Sequence, residues 1–440
     1  MLRYFLLILA AAMLLCGCAG EEPTDTVSVL AAPEYPRQAA YPNESEFIDA
    51  KGNFDSEGFF EVYDAWQQDQ RDRGSADSAA LRAFSEAAVP QLLHGEGNRL
   101  CSPLNIYLAL GMLAEVTDGE SRGEILSLLQ QPDLPALRVD ADALWTAHYR
   151  DDGAAASKLA ASLWLRQDLD YHDEPLAQLR DTYRAAAFRG VMGAAETDEA
   201  LQRWINENTG SLLTEQAAGI KLEKDTILAL ATTIYYNARW SQTFAPEATE
   251  PGIFHGPNGD SDCEFMHRSA PMSYCWGDDF AAVTLGLEEG RMELILPDEG
   301  VTPAQLLENA EFWDYALRNG DWAQQKYLIV DLALPRFDVA ADLDLGQSLR
   351  ELGIRAVFDP ERADFSPLSD MAAFLSQVRH AARVKADEEG VEAAAYTVMM
   401  VAGAAMPPEE RVELTLDRPF VFVLRSNDGA PLFVGVVETP

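Results

Sequence analysis

Between Gly390 and Pro407 the chain carries sixteen residues of which one, Glu392, is charged. Acid clusters close the run on both sides: Asp387, Glu388 and Glu389 before it, Glu409 and Glu410 after it. A small, apolar run needs cover from water, whereas its brackets need to stay in it. A membrane-spanning helix would require about 20 apolar residues and no intruding acid. A buried helix suits the Ala and Met content, but Gly403 and the β-branched residues weaken it. A buried core strand fits the composition. The fourth reading is a long exposed loop with the sequence of a strand, and loops beyond about 12–15 residues are uncommon and usually functional. Strand alternation puts Val391, Ala393, Ala395, Thr397, Met399 and Val401 on one uncharged face. Glu392, Ala394, Tyr396, Val398, Met400 and Ala402 form the other. A strand over 391–404 would run about 47 Å, at roughly 3.4 Å per residue, well past the usual length. The stretch is composed like a strand, yet it is long and bracketed like a loop.

The rest of the chain bounds the answer more loosely. Its 440 residues are 48% hydrophobic, which allows a sizeable core. Seventy-two Asp and Glu oppose 33 Lys and Arg, a net charge of −39. Such a surface repels phosphate backbones, which argues against nucleic acid as a partner, and it suits a saline medium that screens self-repulsion.

Residues 1–18, "MLRYFLLILAAAMLLCGC", have the charge and apolar stretch of an export signal. The closing "LCGC" resembles the lipobox of bacterial lipoproteins, which implies a lipid on Cys18 and a partner in the membrane. The expected location is the cell envelope, lipid-anchored and exported, at the outer membrane or cell surface. Cys101, Cys263 and Cys275 remain, with no CxxC spacing, so neither a redox motif nor a zinc site is indicated. A Cys263–Cys275 disulfide and three separate buried thiols both stay open.

Residues 19–75 read as an acidic tether, Pro- and Ala-rich to about residue 42, with a short amphipathic helix over 56–73. In that helix Phe59, Val62, Tyr63 and Trp66 recur at helical spacing, and it docks either on its own domain or on a partner. From 76 to 440 there is neither a second linker nor an internal repeat. Helices are expected in "SAALRAFSEAAVPQLL", "SPLNIYLALGMLAEVT", "DGESRGEILSLL" and "DEALQRWINENTG". Strands are expected in "TILALATTIYYNARW", "RMELILP" and "YLIVDLALPRFDV". The tail supplies two more, joined by "SNDGAP". The class is α+β in one large domain. Enzyme motifs do not appear: there is no HExxH, GxSxG or GxxxxGK[ST], and "HGEGN" at 94–98 reads as a turn. No metal or cofactor is indicated.

Collinear segments carry a family resemblance. "NRLCSPLNIYLALGMLAEVTDGESRGEILSLL", "ILALATTIYYNARW", "LPRFDVAADLDLGQSLRELGI", "EEGVEAAA" and "DRPFVFVLRSNDGAPLFVGVV" together resemble the serpins. The resemblance implies helices packed around a large central mixed sheet and two smaller sheets, with an exposed reactive loop. It also implies an irreversible inhibitor of serine proteases rather than an enzyme, expected as a monomer. A protease cuts the loop and is acylated by it. The loop then inserts into the large sheet as a strand and carries the protease with it. The implied hinge is Glu389, Gly390, Val391, Glu392, Ala393, Ala394 and Ala395. Distances from the hinge glycine and from the proline pair imply cleavage between Ala404 and Ala405, hence small-residue, elastase-like or subtilisin-like specificity. The implied sheet-opening cluster is Ser102, Asn105, Thr232, His380 and Trp240. Val391 stands where the family usually has Ser or Thr, Tyr396 where it has a smaller residue, and Thr232 where it has Asn. A non-inhibitory serpin or a binding lipoprotein of the envelope is the alternative.

Overall fold

The computed structural model describes residues 27–49, 51–76, 78–211, 213–318, 320–391 and 408–440. Along the first half run β1 (Val27–Ala31), α1 (Ser56–Arg73), α2 (Ala79–Leu92), β2 (Arg99–Cys101), α3 (Pro103–Glu115), α4 (Gly119–Leu128) and α5 (Leu134–His148). Then come β3 (Arg150–Asp151), β4 (Ala156–Arg166), α6 (Asp173–Tyr183), β5 (Ala186–Gly190), α7 (Ala195–Asn208), α8 (Thr214–Ala217) and β6 (Leu228–Arg239). The second half continues with β7 (Thr249–Gly256), β8 (Gly259–Trp276), β9 (Phe280–Gly286), β10 (Arg291–Pro297), α9 (Pro303–Leu307) and α10 (Ala310–Ala316). It closes with β11 (Gln325–Pro335), β12 (Phe337–Asp344), α11 (Gly346–Glu351), β13 (Leu375–Ala386), β14 (Gly390–Val391), β15 (Arg411–Thr415), β16 (Phe420–Arg425) and β17 (Pro431–Val437).

The strands form two sheets among the described residues. The first has eight strands in the order β1-β5-β4-β6-β14-β13-β12, with β3 on β4. The second has nine, in the order β15-β11-β8-β9-β10-β16-β17-β2, with β7 on β8. The two smaller sheets of the expected fold are joined here because β8 is shared, pairing with β11 from Gln325↔Cys275 to Pro335↔Phe265 and with β9 from Tyr274↔Val283 to Trp276↔Ala281. That pairing also answers the disulfide question. Cys263 and Cys275 lie on the same extended strand, 12 residues apart and so roughly 40 Å by strand rise, and both thiols are free.

Helix α3 explains how the layers hold together. Every one of its residues is buried, as its largely apolar sequence demands, and it packs against β6 and β17 as well as against α2, α4, α5 and α6. Ser102 starts it: the Asn105 amide donates to the Ser102 hydroxyl, and Pro103 occupies a first-turn position. On the other face of the first sheet, Leu201, Trp204 and Ile205 of α7 pack with Trp164 and Ala229. Strands covered on both faces read as near-continuous apolar runs, which is why "LALATTIYY" of β6 lacks polar alternation.

The tether expected over residues 19–75 is, from Val27 onward, part of the folded body. β1 adds to the edge of the first sheet, with Val27↔Gly190 and Val29↔Phe188 in register. Tyr35 stacks on Trp145 and Tyr149, and the Gln38 side chain bridges the Tyr149 carbonyl and the Asp151 amide. Helix α1 docks on its own domain through Asp152, whose carboxylate is fully buried. It accepts from Trp66 Nε1 at 2.8 Å, Gln70 Nε2 at 3.0 Å and Arg150 Nε at 2.7 Å. The tether reading failed because Pro and acid dominate the flanks, while "VSVLA" needed only five residues to form an edge strand. Asp152→Ala leaves the Trp66 indole N–H without its acceptor and buried Arg150 with Glu289 as its remaining carboxylate, so chemical denaturation should register a loss of about 2 kcal/mol. Proteolysis within 27–73 should accelerate at the same time. A loss below about 1 kcal/mol with unchanged proteolysis would contradict the docking described.

Candidate functional site

The first sheet is parted at one end. β6 and β13 pair in parallel from Leu375↔Leu228 to Ala382↔Ile234. Beyond that point β14 lies between them, with Gly390↔Arg239 and Val391↔Ala238 on one side and Ala386↔Val391 on the other. Val391 is completely buried there. Gly390 is required by contact: a Cβ at this position would lie 2.4 Å from the Ala238 carbonyl oxygen and 2.6 Å from Arg239 Cα.

Side chains and backbone pin the segment leading into this wedge. Trp240 donates its amide to the Glu389 carbonyl and its indole N–H to the Asp387 carbonyl, at 3.0 and 2.7 Å. The Phe244 amide donates to the Glu388 carbonyl at 3.0 Å. Arg239 pairs with Glu389 at 2.8 Å. Glu388, mostly buried, is held by Arg336 and by the Thr249 hydroxyl; these bonds outweigh the cost of burial and keep its carboxyl below the ordinary range. The acid bracket before the apolar run is therefore a set of anchors as well as a solvated edge.

Below the wedge, three of the five residues expected in the cluster, Ser102, Thr232 and His380, come together. His380 and Thr232 are register partners across β13 and β6. His380 is fully buried; its Nε2 accepts the Ser102 amide at 3.0 Å and its Nδ1 lies 3.0 Å from the Thr232 hydroxyl. Because Nε2 accepts, the ring proton of the neutral tautomer sits on Nδ1 and donates to Thr232. Thr232 thus fills, with a hydroxyl, the place where the resemblance implied an amide. Asn105 joins only through its backbone: its amide donates to Ser102, while its side-chain Nδ2 has no partner among the described residues. Trp240 lies at the far end of β6, in the wedge rather than in this cluster. Of the hinge, Glu389, Gly390 and Val391 are described. Glu392, Ala393, Ala394, Ala395, Ala404, Ala405 and Cys18 lie outside the described residues.

Burial drives the His380 imidazole down to about 3. The native state therefore disfavours a proton that the unfolded chain takes up near pH 6.5. This contribution to stability is present above pH 6.5 and is lost as pH falls toward 3, at up to about 1.4 kcal/mol per pH unit. Replacing His380 by Gln should flatten the stability profile between pH 6.5 and 5 relative to wild type, measured by urea titration at each pH. Parallel profiles for the two proteins would refute the assignment.

Comparisons with known proteins agree with this geometry. The sequence profile of the family described as Serpin (serine protease inhibitor) matches residues 76–440. The leukocyte elastase inhibitor of Sus scrofa is 28% identical over 356 residues, covering 78% of this chain and 93% of that protein. Alpha-1-antitrypsin 1-4 of Mus musculus is 28% identical over 402 residues, covering 86% and 92%. Among solved structures, the thermophilic serpin tengpin in its native state superposes with a TM-score of 0.74 at 22% identity, over 83% of this chain and 96% of that one. Human thyroxine-binding globulin superposes at 0.71 and 20% identity, over 82% and 98%, and at that identity the likeness shows the fold alone. With a family match spanning most of its length, this chain belongs to the serpin family.

Proposed function

We propose that this serpin is an irreversible suicide-substrate inhibitor of serine proteases, cut between Ala404 and Ala405. The observation that carries the reading is the seating of Gly390 and Val391 between β6 and β13. A strand has begun to enter the sheet, and the apolar run follows it directly. Continued at the same antiparallel register along β6, residue 393 would face Tyr236, 395 Ile234, 397 Thr232 and 401 Leu228. The β6–β13 pairs from Ala382↔Ile234 to Leu375↔Leu228 would part to admit it. The burial of Val391 fits a small uncharged inward face in which Ala393, Ala395 and Thr397 follow.

In the proposed reaction the protease serine oxygen attacks the Ala404 carbonyl, the Ala405 amine leaves with the proton, and the acyl ester remains. Insertion then competes with hydrolysis of that ester. A methyl side chain at Ala404 suits shallow pockets and offers nothing to a pocket built for Arg or Lys. Relatives named leukocyte elastase inhibitor are in keeping with that choice. The proposed partner is thus an elastase-like or subtilisin-like protease, held as a covalent acyl complex.

We also propose that Cys18 anchors the protein by lipid at the cell envelope. Only nine Cα steps separate Cys18 from Val27, so the folded body would lie within about 32 Å of the bilayer rather than on a long tether. Replacing Cys18 by Ser should move the protein from the membrane to the soluble fraction. An unchanged membrane fraction would contradict the anchor.

The inhibitory reading is tested by incubating the protein with elastase, subtilisin and trypsin and looking for complexes that survive boiling in detergent. The first two should form them and trypsin should not, and Ala404→Arg should reverse the preference. Val391→Arg forces a charge into the buried wedge; even ~3 kcal/mol on the insertion barrier slows it over a hundredfold. That variant should be cleaved without trapping the protease, whereas Glu392→Arg, on the outward face, should still trap. Equal loss in both would refute the face assignment, and cleavage without any complex in the wild type would point to the non-inhibitory alternative.

A further inference from the structure

Three guanidinium groups converge on one carboxylate in the second sheet, away from the wedge. Glu293, fully buried on β10, lies 3.0 Å from Arg318 Nη1 and 3.5 Å from both Arg291 Nε and Arg425 Nη1. Arg291 and Arg425 are register partners on β10 and β16. Like charges directly opposite across strands repel, and a single acid between them cannot neutralise three cations. Arg425 is fully buried, and burial first, with Arg291 and Arg318 adding repulsion against the opposing pull of Glu293, brings its guanidinium down to about 10. The Nε of Arg318 is buried without an acceptor among the described residues.

Arg291 and Arg318 line an open cleft of about 520 Å³, with Ser273 of β8 and Thr284 of β9 on its strand wall. Two acids also line it. Asp428 is engaged by His148 Nε2, the Ser426 hydroxyl and the Ala76 amide, and Asp321 is exposed. We propose that the cleft is a binding site for a tetrahedral oxyanion, a phosphate or sulfate group, held by Arg291 and Arg318 with hydroxyl donors from Ser273 and Thr284. Cations from a strand and from the end of α10, with hydroxyls from two further strands, approach from several directions, which suits a tetrahedral anion better than a planar one. The bound group would tie the end of α10 to the sheet. The molecule's overall charge of −39 opposes anions from a distance, but at about 0.15 M salt the screening length is roughly 8 Å, so that distant charge acts weakly at the cleft.

The test is calorimetric titration of the whole protein with inorganic phosphate, sulfate and acetate at constant ionic strength, alongside melting temperature against anion concentration. Saturable binding of phosphate and sulfate is expected, with Arg291→Gln weakening it at least tenfold. Thr284→Val, which keeps the side-chain shape and loses the hydroxyl, should weaken it severalfold and guards against a misfolded arginine variant. A melting temperature that rises without saturation, equally in wild type and variants, would reflect general exclusion of the anions and overturn the site. Absence of binding would overturn it too, and acetate bound as tightly as phosphate would overturn the class of ligand assigned.

Discussion

Everything functional in this molecule hangs on the point where β14 separates β6 from β13. Above it, Trp240, Phe244, Arg239 and Arg336 fasten the chain from Asp387 to Glu389 to the body through backbone and charge-assisted bonds. Below it, the strands are stitched by their parallel ladder and by neutral His380, which ties β13 to β6 through Thr232 and to the start of α3 through the Ser102 amide. The sheet is held parted at one end and closed beneath by a polar bond set buried from water. A buried imidazole that must stay neutral makes a firm closure, since no competing water reaches it. It is also one that yields as a unit when the strands separate, because both of its partners lie on elements that would move apart.

In the proposed mechanism the closure sets what insertion would have to overcome. Each β6–β13 pair lost would be replaced by pairs to the entering strand on both sides, so the ladder grows by one strand. Insertion as proposed would bury an apolar face. The cost would come at the start, in unzipping the His380 region, and the gain later. On that proposal a metastable state would be long-lived without being the most stable one.

The sequence disclosed some of this plainly. Helix α1 has the span that its apolar spacing suggests, with Asp55 as its N-cap, and α3 follows from a largely apolar run with a Ser-Pro start. Val391, the first residue of the uncharged face read from alternation, is buried, and the residues of that face after it lie outside those described. β1 was not legible, because five residues among prolines carry too little periodicity to stand out. The union of the two smaller sheets was not, because strand length in "CEFMHRSAPMSYCW" is set by pairing to β11, a non-local partner. The His380 cluster was named only through family likeness; its tautomer, and the replacement of an amide by the Thr232 hydroxyl, needed distances. The arginine cluster was invisible, since Arg291, Arg318 and Arg425 meet only once β10, α10 and β16 are in place. One clue did exist, in that Glu293 interrupts an otherwise apolar strand in "RMELILP".

The central claim is that the native fold stores the free energy of a strand not yet inserted. Calorimetry before and after a cut confined to residues 397–405 measures it directly. The loop, freed at one end, should complete the strand that Gly390 and Val391 begin, and the melting temperature should rise by tens of degrees. A melting temperature that stays the same or falls after the cut, as for an ordinary nicked protein, would contradict it.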